Sequence, residues 1–520
     1  MLRALMSDFR QGLGDLNEKV GQRLSALDRD RVIRRIWDGD HTVWSPDPTE
    51  ITRPNRLGWL DVAADMLAQA PALQAFAEEV AAEGIETLVL MGMGGSSLNA
   101  EVIDSILPRR PGFPALRYIL DTTSPDEIAA VEREIDLTKA LFIVASKSGT
   151  TVETMSQYAY FWEKLPQGRN YVAITDAGTP LAALAQERGF RRLFLNRDDI
   201  GGRYAGLSYF GLTPAALAGA EVEQLLRRAQ PMIDSCRQER AEGNPGAVLG
   251  ALLGEAALAG RDKLTLVLPE ALARLGDWIE QVIAESTGKG GKGIIPVAGE
   301  ALGAAEVYGE DRLFVAYGDA PGLDALEVAG HPVVRLPLID PYDLGGEFFR
   351  WEFAVAVAGH VLAINPFDQP DVQAAKEAAE RSLSGGATTS ETSGDPAATL
   401  AQVRPGDYIV IQAYIARDEA VRSRLAALRL RLRDRFRVAT TVGFGPRYLH
   451  STGQLHKGGP DSAVVFQIVG DDAVDLPIPG RPLTFGALRR AQAQGDFEAL
   501  RARGRRAVRT TLEALEAAGN

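Results

Sequence analysis

Cysteine is almost missing. Cys236 is the only one in 520 residues, so no internal disulfide can form, and five scattered histidines give no Cys/His run at structural-zinc spacing. A reducing, cytoplasmic compartment is therefore expected, and no metal. Long hydrophobic runs are missing too. The longest apolar stretch, 351–367, is interrupted by Glu352, His360 and Asn365, and residues 1–11 carry Arg and Asp with no apolar core of signal-peptide length. Neither secretion nor membrane insertion is expected. Positive charge is in deficit, with 56 Lys and Arg against 69 Asp and Glu and a net charge of -13. A field of that sign repels nucleic-acid phosphates and anionic membrane surfaces, so any anionic ligand must be held by local donors.

The rest of the composition is that of a globular chain, 46% hydrophobic, 24% charged and 7% aromatic. At roughly 150 residues per domain the length suffices for two to four domains. Leu, Val and Ile at three and four spacings predict a helix over 16–36, followed by a loop with Pro46, Pro48 and Pro54. From residue 59 helices alternate with short apolar runs at 87–91, 116–120, 140–145, 171–174 and 192–195. A second series of runs follows at 263–268, 293–297, 313–317 and 333–338. Strands alternating with helices imply parallel sheets, hence an α/β fold. Residues 384–399 contain no large apolar side chain and read as a mobile linker or lid. The expected division is a helical segment 1–58, a first domain 59–240, a second 241–383 and the linker 384–399. Residues 400–480 are expected to complete the second domain, with C-terminal helices over 481–520. In the Arg-rich helix after residue 418, Val421, Leu425, Leu428, Leu432 and Phe436 form one apolar stripe. It leaves Arg422, Arg424, Arg429, Arg431 and Arg433 on a solvated face.

Several motifs sit where strands give way to helices. Gly92-Met-Gly-Gly-Ser-Ser97 follows a strand; its glycines let backbone approach a ligand, and the following helix N-terminus offers unpaired N–H groups suited to phosphate. The dinucleotide fingerprint fits poorly because Ser97 stands at its third glycine position, although Asp121 at the next strand end imitates a ribose-binding acid. Ser146-Lys-Ser-Gly-Thr-Thr151 clusters hydroxyls before another helix. Its bland alternative is a helix N-cap, yet one hydroxyl would satisfy a cap and four occur in six residues. Gly201-Gly-Arg-Tyr204 places a cation after glycines, and Glu285 ends an apolar helix before a glycine-lysine loop.

Together these motifs resemble the glucose-6-phosphate isomerase (phosphoglucose isomerase) family, built from two sugar isomerase domains. The landmarks are GMGGSS at 92–97, SKSGTTVET at 146–154, GGRY at 201–204, ESTGKGGKGIIP at 285–296 and NPFDQPDVQAAK at 365–376. They stand in family order, and the overall pattern is most similar to the isomerase half of bacterial transaldolase/glucose-6-phosphate isomerase fusions, without a transaldolase half. The resemblance implies that residues 59–240 form the phosphate-binding sugar isomerase domain. In it Ser96, Ser146, Ser148 and Thr151 bind the phosphate beside the Lys147 backbone N–H, and Gly95 and Gly202 lie along the substrate. It further implies Glu285 as the base that moves a proton between C2 and C1, Arg203 as the cation for the enediolate, and Lys376 and Gln369 against the sugar. No cofactor, a sugar phosphate substrate and a homodimer are implied as well. The chemistry supports the central pair independently, since abstracting a proton next to a carbonyl needs a carboxylate base and a positive group at the developing oxyanion.

One departure stands out. Related bacterial enzymes carry a ring-opening histidine a few tens of residues after the glutamate motif, yet 297–312 has none, and His331 heads an expected core strand. Residues 443–459 instead hold Leu449-His-Ser-Thr-Gly-Gln454, similar to the family's LHS-x-GQ stretch. His450 is accordingly expected to be the ring-opening acid/base, moved in sequence but kept in space, with His456 second. Two alternatives share these residues in whole or part: a dual phosphoglucose/phosphomannose isomerase, and a non-catalytic sugar-phosphate sensor that needs the hydroxyls but not Glu285, Arg203 and Lys376.

Overall fold

The computed structural model describes residues 12–51, 56–371 and 392–520. Three parallel sheets organise it. The first contains β1 (Thr87–Gly92), β2 (Ala115–Leu120), β3 (Ala140–Ala145), β4 (Tyr171–Asp176) and β5 (Arg192–Asn196), in the order β2-β1-β3-β4-β5. The second contains β6 (Lys263–Val267), β7 (Ile295–Val297), β8 (Arg312–Tyr317) and β9 (Val333–Leu336), in the order β7-β6-β8-β9. Strands such as β1 and β3 are buried along their whole length, which is why they read as continuous apolar runs rather than as alternation. In each sheet the first strand lies between the second and third, so the chain reverses its winding there and opens a crevice at the carboxyl ends of the strands.

The strands of the segment expected to complete the second domain form a sheet of their own. β10 (Tyr408–Tyr414), β11 (Ala439–Phe444), β12 (Ala463–Val469) and β13 (Arg506–Thr510) pair in the order β11-β10-β12-β13. Among the described residues no strand of it pairs with the second sheet, against which it packs: Ile295 and Val297 of β7 share a buried cluster with Tyr408, Val410, Ala439 and Val465. The C-terminal stretch is likewise not helical throughout, because β13 lies between the helices Phe485–Ala502 and Leu512–Gly519.

Three further expectations change. The first helix ends at Arg29, where Arg31 adopts a left-handed φ of 50° before a short helix Val32–Trp37 resumes. The first half of the expected linker, 384–391, lies outside the described residues. Its remainder is anchored: Ser393 bonds its backbone to Arg509 of β13, and a helix, Pro396–Leu400, buries Leu400. In the Arg-rich helix Glu419–Phe436, Arg429 and Arg433 point inward rather than to solvent, donating to the carbonyls of Ala298 (2.9 Å) and Ala301 (2.5 Å) beyond β7. Their long stems cross the apolar contact while their heads satisfy carbonyls that the edge of the second sheet leaves open.

Candidate active site

Two loops meet at the crevice of the first sheet. The glycine turn after β1 leads into the helix Gly95–Ile106, and the hydroxyl loop after β3 leads into the helix Val152–Lys164; neither helix has a side-chain cap. Capping is thus not what the hydroxyls do. Ser146 Oγ lies 2.8 Å from Thr151 Oγ1 and accepts from the Gly149 N–H at 3.1 Å, while Ser148 Oγ lies 2.9 Å from Thr150 Oγ1 and stays exposed. The Ser96 hydroxyl has no hydrogen-bond partner among the described residues. Lys147 turns its ammonium away to Asp176 and the Asp198 carbonyl, leaving the loop lined by neutral donors at two helix N-termini. Such an arrangement suits a dianion.

Gly95 sets the spacing of the next element. A Cβ there would lie 1.9 Å from the Gly202 carbonyl oxygen, so the glycine turn and the Gly201–Tyr204 turn touch backbone to backbone. Asn99 clamps them, its side-chain amide donating to the carbonyls of Gly95 (2.6 Å) and Gly202 (3.1 Å). Arg203 is thereby delivered to the interior at 4% exposure. Its guanidinium reaches Glu285 Oε1 at 3.1 Å, Ser286 Oγ at 2.7 Å and the carbonyls of Pro366 (2.8 Å) and Asp368 (3.0 Å).

Glu285 stands in the last turn of the helix Ala273–Thr287 at 7% exposure. Its second oxygen accepts from Gln281 Nε2 at 3.0 Å, one turn earlier on the same face. Lys289 lies beside the pair and donates to the Asn365 carbonyl and to Asp368. Burial, reinforced by the like charge of Arg203, pulls its ammonium down to about 7 against the opposing pull of Asp368.

His450 arrives from the third sheet, in the turn after β11. Its backbone carbonyl accepts from Gln281 Nε2 at 2.8 Å, and Gly94 packs against it so closely that a Cβ would lie 2.7 Å from that carbonyl. The imidazole Nε2 is 2.9 Å from Glu153 Oε1, at the start of the helix that follows the hydroxyl loop. Gln492 donates to the same Glu153 oxygen at 2.7 Å. A histidine far beyond the glutamate in sequence therefore sits between the hydroxyl loop and Gln281, the direct neighbour of Glu285. His456 goes elsewhere: it is buried with Nδ1 3.1 Å from the Tyr408 hydroxyl, and burial drives its pKa down to about 3.

Gln369 lies on the exposed loop just beyond Asp368, and Lys376 lies outside the described residues. Asp121, the imitation ribose acid, is engaged otherwise: it is buried and ion-paired with Arg417 and Arg447 of the third sheet. Sequence reasoning assigned no role to Gln281, Glu153, Ser286 or Lys289. Two of these carried a signal, since Gln281 precedes Glu285 by one helical turn and Glu153 stands inside the hydroxyl motif.

The family model for phosphoglucose isomerase matches residues 62–305. That stretch of the chain is similar to the phosphoglucose isomerase family. The matched region takes in both phosphate-loop candidates, Arg203 and Glu285, and ends before Gln369, Lys376 and His450. Among curated relatives, a glucose-6-phosphate isomerase of Rubrobacter xylanophilus is 29% identical over 369 residues, 58% of this chain and 83% of the relative. Two solved structures share the fold. A hypothetical protein of Thermus thermophilus gives a TM-score of 0.60 at 24% identity, covering 71% of this chain and 97% of that one. A glucose-6-phosphate isomerase from Chlamydia trachomatis gives 0.53 at 19% identity, covering 74% and 86%.

Proposed function

We propose that the chain interconverts glucose 6-phosphate and fructose 6-phosphate by ring opening, proton transfer through a cis-enediol and reclosure. The observation that carries the reading is the buried Glu285–Arg203 pair, set one backbone contact away from the glycine turn. In this reading Ser96, Ser146, Ser148 and Thr151 hold the phosphate with the two uncapped helix N-termini. Glu285 takes the proton next to the carbonyl and returns it to the neighbouring carbon. Arg203 faces the oxygen that becomes negative, and its own hydrogen bonds to Ser286, Pro366 and Asp368 fix it in advance, so no reorganisation is required when charge develops. Gln281 holds Glu285 from the other side. His450, steadied by Glu153, serves ring opening. Gln369 and Lys376 contact the sugar.

No organic cofactor has a part in this chemistry, because the shuttled proton is adjacent to a carbonyl that protein groups polarise. A homodimer and a cytoplasmic location belong to the same proposal; the lone Cys236, buried, fits a reducing compartment. A coupled assay with fructose 6-phosphate tests the reading. The purified chain should turn over, and Glu285→Gln should lose at least about 10³-fold in kcat with little change in phosphate-ligand affinity. Turnover unchanged in Glu285→Gln removes the assignment.

A further inference from the structure

A second cleft lies between the first and third sheets, apart from the hydroxyl loop. It has a volume of about 490 Å³, inside the range of roughly 300–1,000 Å³ typical of small-molecule sites. It is walled by the end of β11, by Arg417 beyond β10 and by β2 at the edge of the first sheet. Most charges around it are spent on one another. Arg417 pairs with Asp121 and Glu127, Arg447 with Asp121 and Glu101, and Arg274 with Glu101 and Asp277.

Two lining groups are not spent. Arg422, in the first turn of the helix Glu419–Phe436, lies over the Phe444 ring at 5.5 Å and meets no carboxylate among the described residues. Glu280 makes no hydrogen bond or ion pair among the described residues. Burial and the neighbouring Asp277 push its carboxyl up to about 8, so at neutral pH it holds an O–H to donate. The cleft thus presents one uncompensated guanidinium and one neutral acid donor, beside the apolar surface of Leu98, Leu116 and Phe444.

We propose that this cleft binds a small organic carboxylate, its oxygens on Arg422 and Glu280 and its apolar body against Leu98, Leu116 and Phe444. A planar carboxylate matches the guanidinium fork, and its single charge balances the single open cation. A phosphate dianion would leave one charge uncovered. The bound acid would also touch elements that carry the candidate active site: Asp277 and Glu280 share a helix with Gln281 and Glu285, and Ser451, beside His450, lines the cleft.

Titration calorimetry of the full chain with 3-phenylpropionate tests this, run with inorganic phosphate at saturation to fill the hydroxyl loop. Saturable one-to-one binding is expected, about tenfold weaker in Arg422→Gln and weakened also in Glu280→Ala, with Glu280→Gln retaining most of the affinity because it keeps a donor. The uncharged 3-phenyl-1-propanol should bind at least about tenfold more weakly. Arg422 is exposed, so its variant should keep the wild-type circular dichroism and melting profile. Absence of saturable binding, loss of binding on adding phosphate, equal affinity in folded Arg422→Gln, or equal affinity for the alcohol would each overturn the proposal.

Discussion

His450 has one ring nitrogen on Glu153 and its carbonyl on Gln281, so two elements from different parts of the chain fix both its ring and its backbone. A histidine held this way has a defined tautomer and direction, as general acid/base work on a ring oxygen requires. His450→Ala should therefore slow glucose 6-phosphate turnover by about 10²–10⁴-fold. Turnover of an aldose phosphate that cannot cyclise should fall far less, and equal losses in the two assays would remove ring opening from its role. The residue types at this site were legible in the sequence because proton abstraction needs a carboxylate and a cation, and because hydroxyls crowd before a helix. Glu153 and Gln281 escaped notice since their value lies in a partner across the fold. Arg429 and Arg433 show the same limit: a periodic stripe sorts apolar from charged positions but does not reveal which carbonyls wait nearby.

At the scale of single elements, the glycine turn after β1 and the turn bearing Arg203 are in backbone contact, and Asn99 bonds both. Gly95→Ala forces a methyl group into the Gly202 carbonyl oxygen, with no flexible side chain to give way. It should cost about 1–3 kcal/mol in chemical denaturation. Isomerase activity should drop more than the stability loss explains, because Arg203 moves with its turn. Strand and helix positions were largely readable: runs of Val, Ile and Leu buried on both faces have no other use, and 140–145, 408–414 and 463–469 match β3, β10 and β12. The break at Arg31 was not, since nothing in the local apolar pattern demands a left-handed residue there.

At the scale of the whole molecule, the third sheet is docked by charge as much as by apolar packing. Asp121, at the end of β2, is paired by Arg417 and Arg447, which follow β10 and β11. Burial raises its pKa, but the two guanidiniums outweigh burial and hold the carboxyl below the ordinary aspartate range. A depressed acid stabilises the native state above the unfolded pKa, and that contribution disappears as pH falls through the lower folded value. Asp121→Asn should therefore destabilise by about 1–3 kcal/mol at pH 7, because it takes the shared buried carboxylate from two half-buried guanidiniums and leaves them Glu127 and Glu101 alone. The gap from wild type should close on acidification below about pH 4; a gap independent of pH would mean that the ion pairs are not its cause. Sequence pattern identified these strands without revealing that they form a separate sheet, because strand pairing across a long connection depends on edges that only the folded molecule defines.

The placement of His450 in the last-made sheet has a consequence for the newborn protein. Chains emerge from the ribosome amino end first and fold domain by domain. A nascent chain with its first two sheets formed already possesses the hydroxyl loop, Arg203 and Glu285, yet lacks the histidine and the strands that aim it. Under the proposed mechanism such a chain can grip sugar phosphate before it can open the ring. Substrate present during synthesis would then act as a folding aid for the early portion, and isomerisation of the cyclic sugar would begin only when synthesis has passed β11.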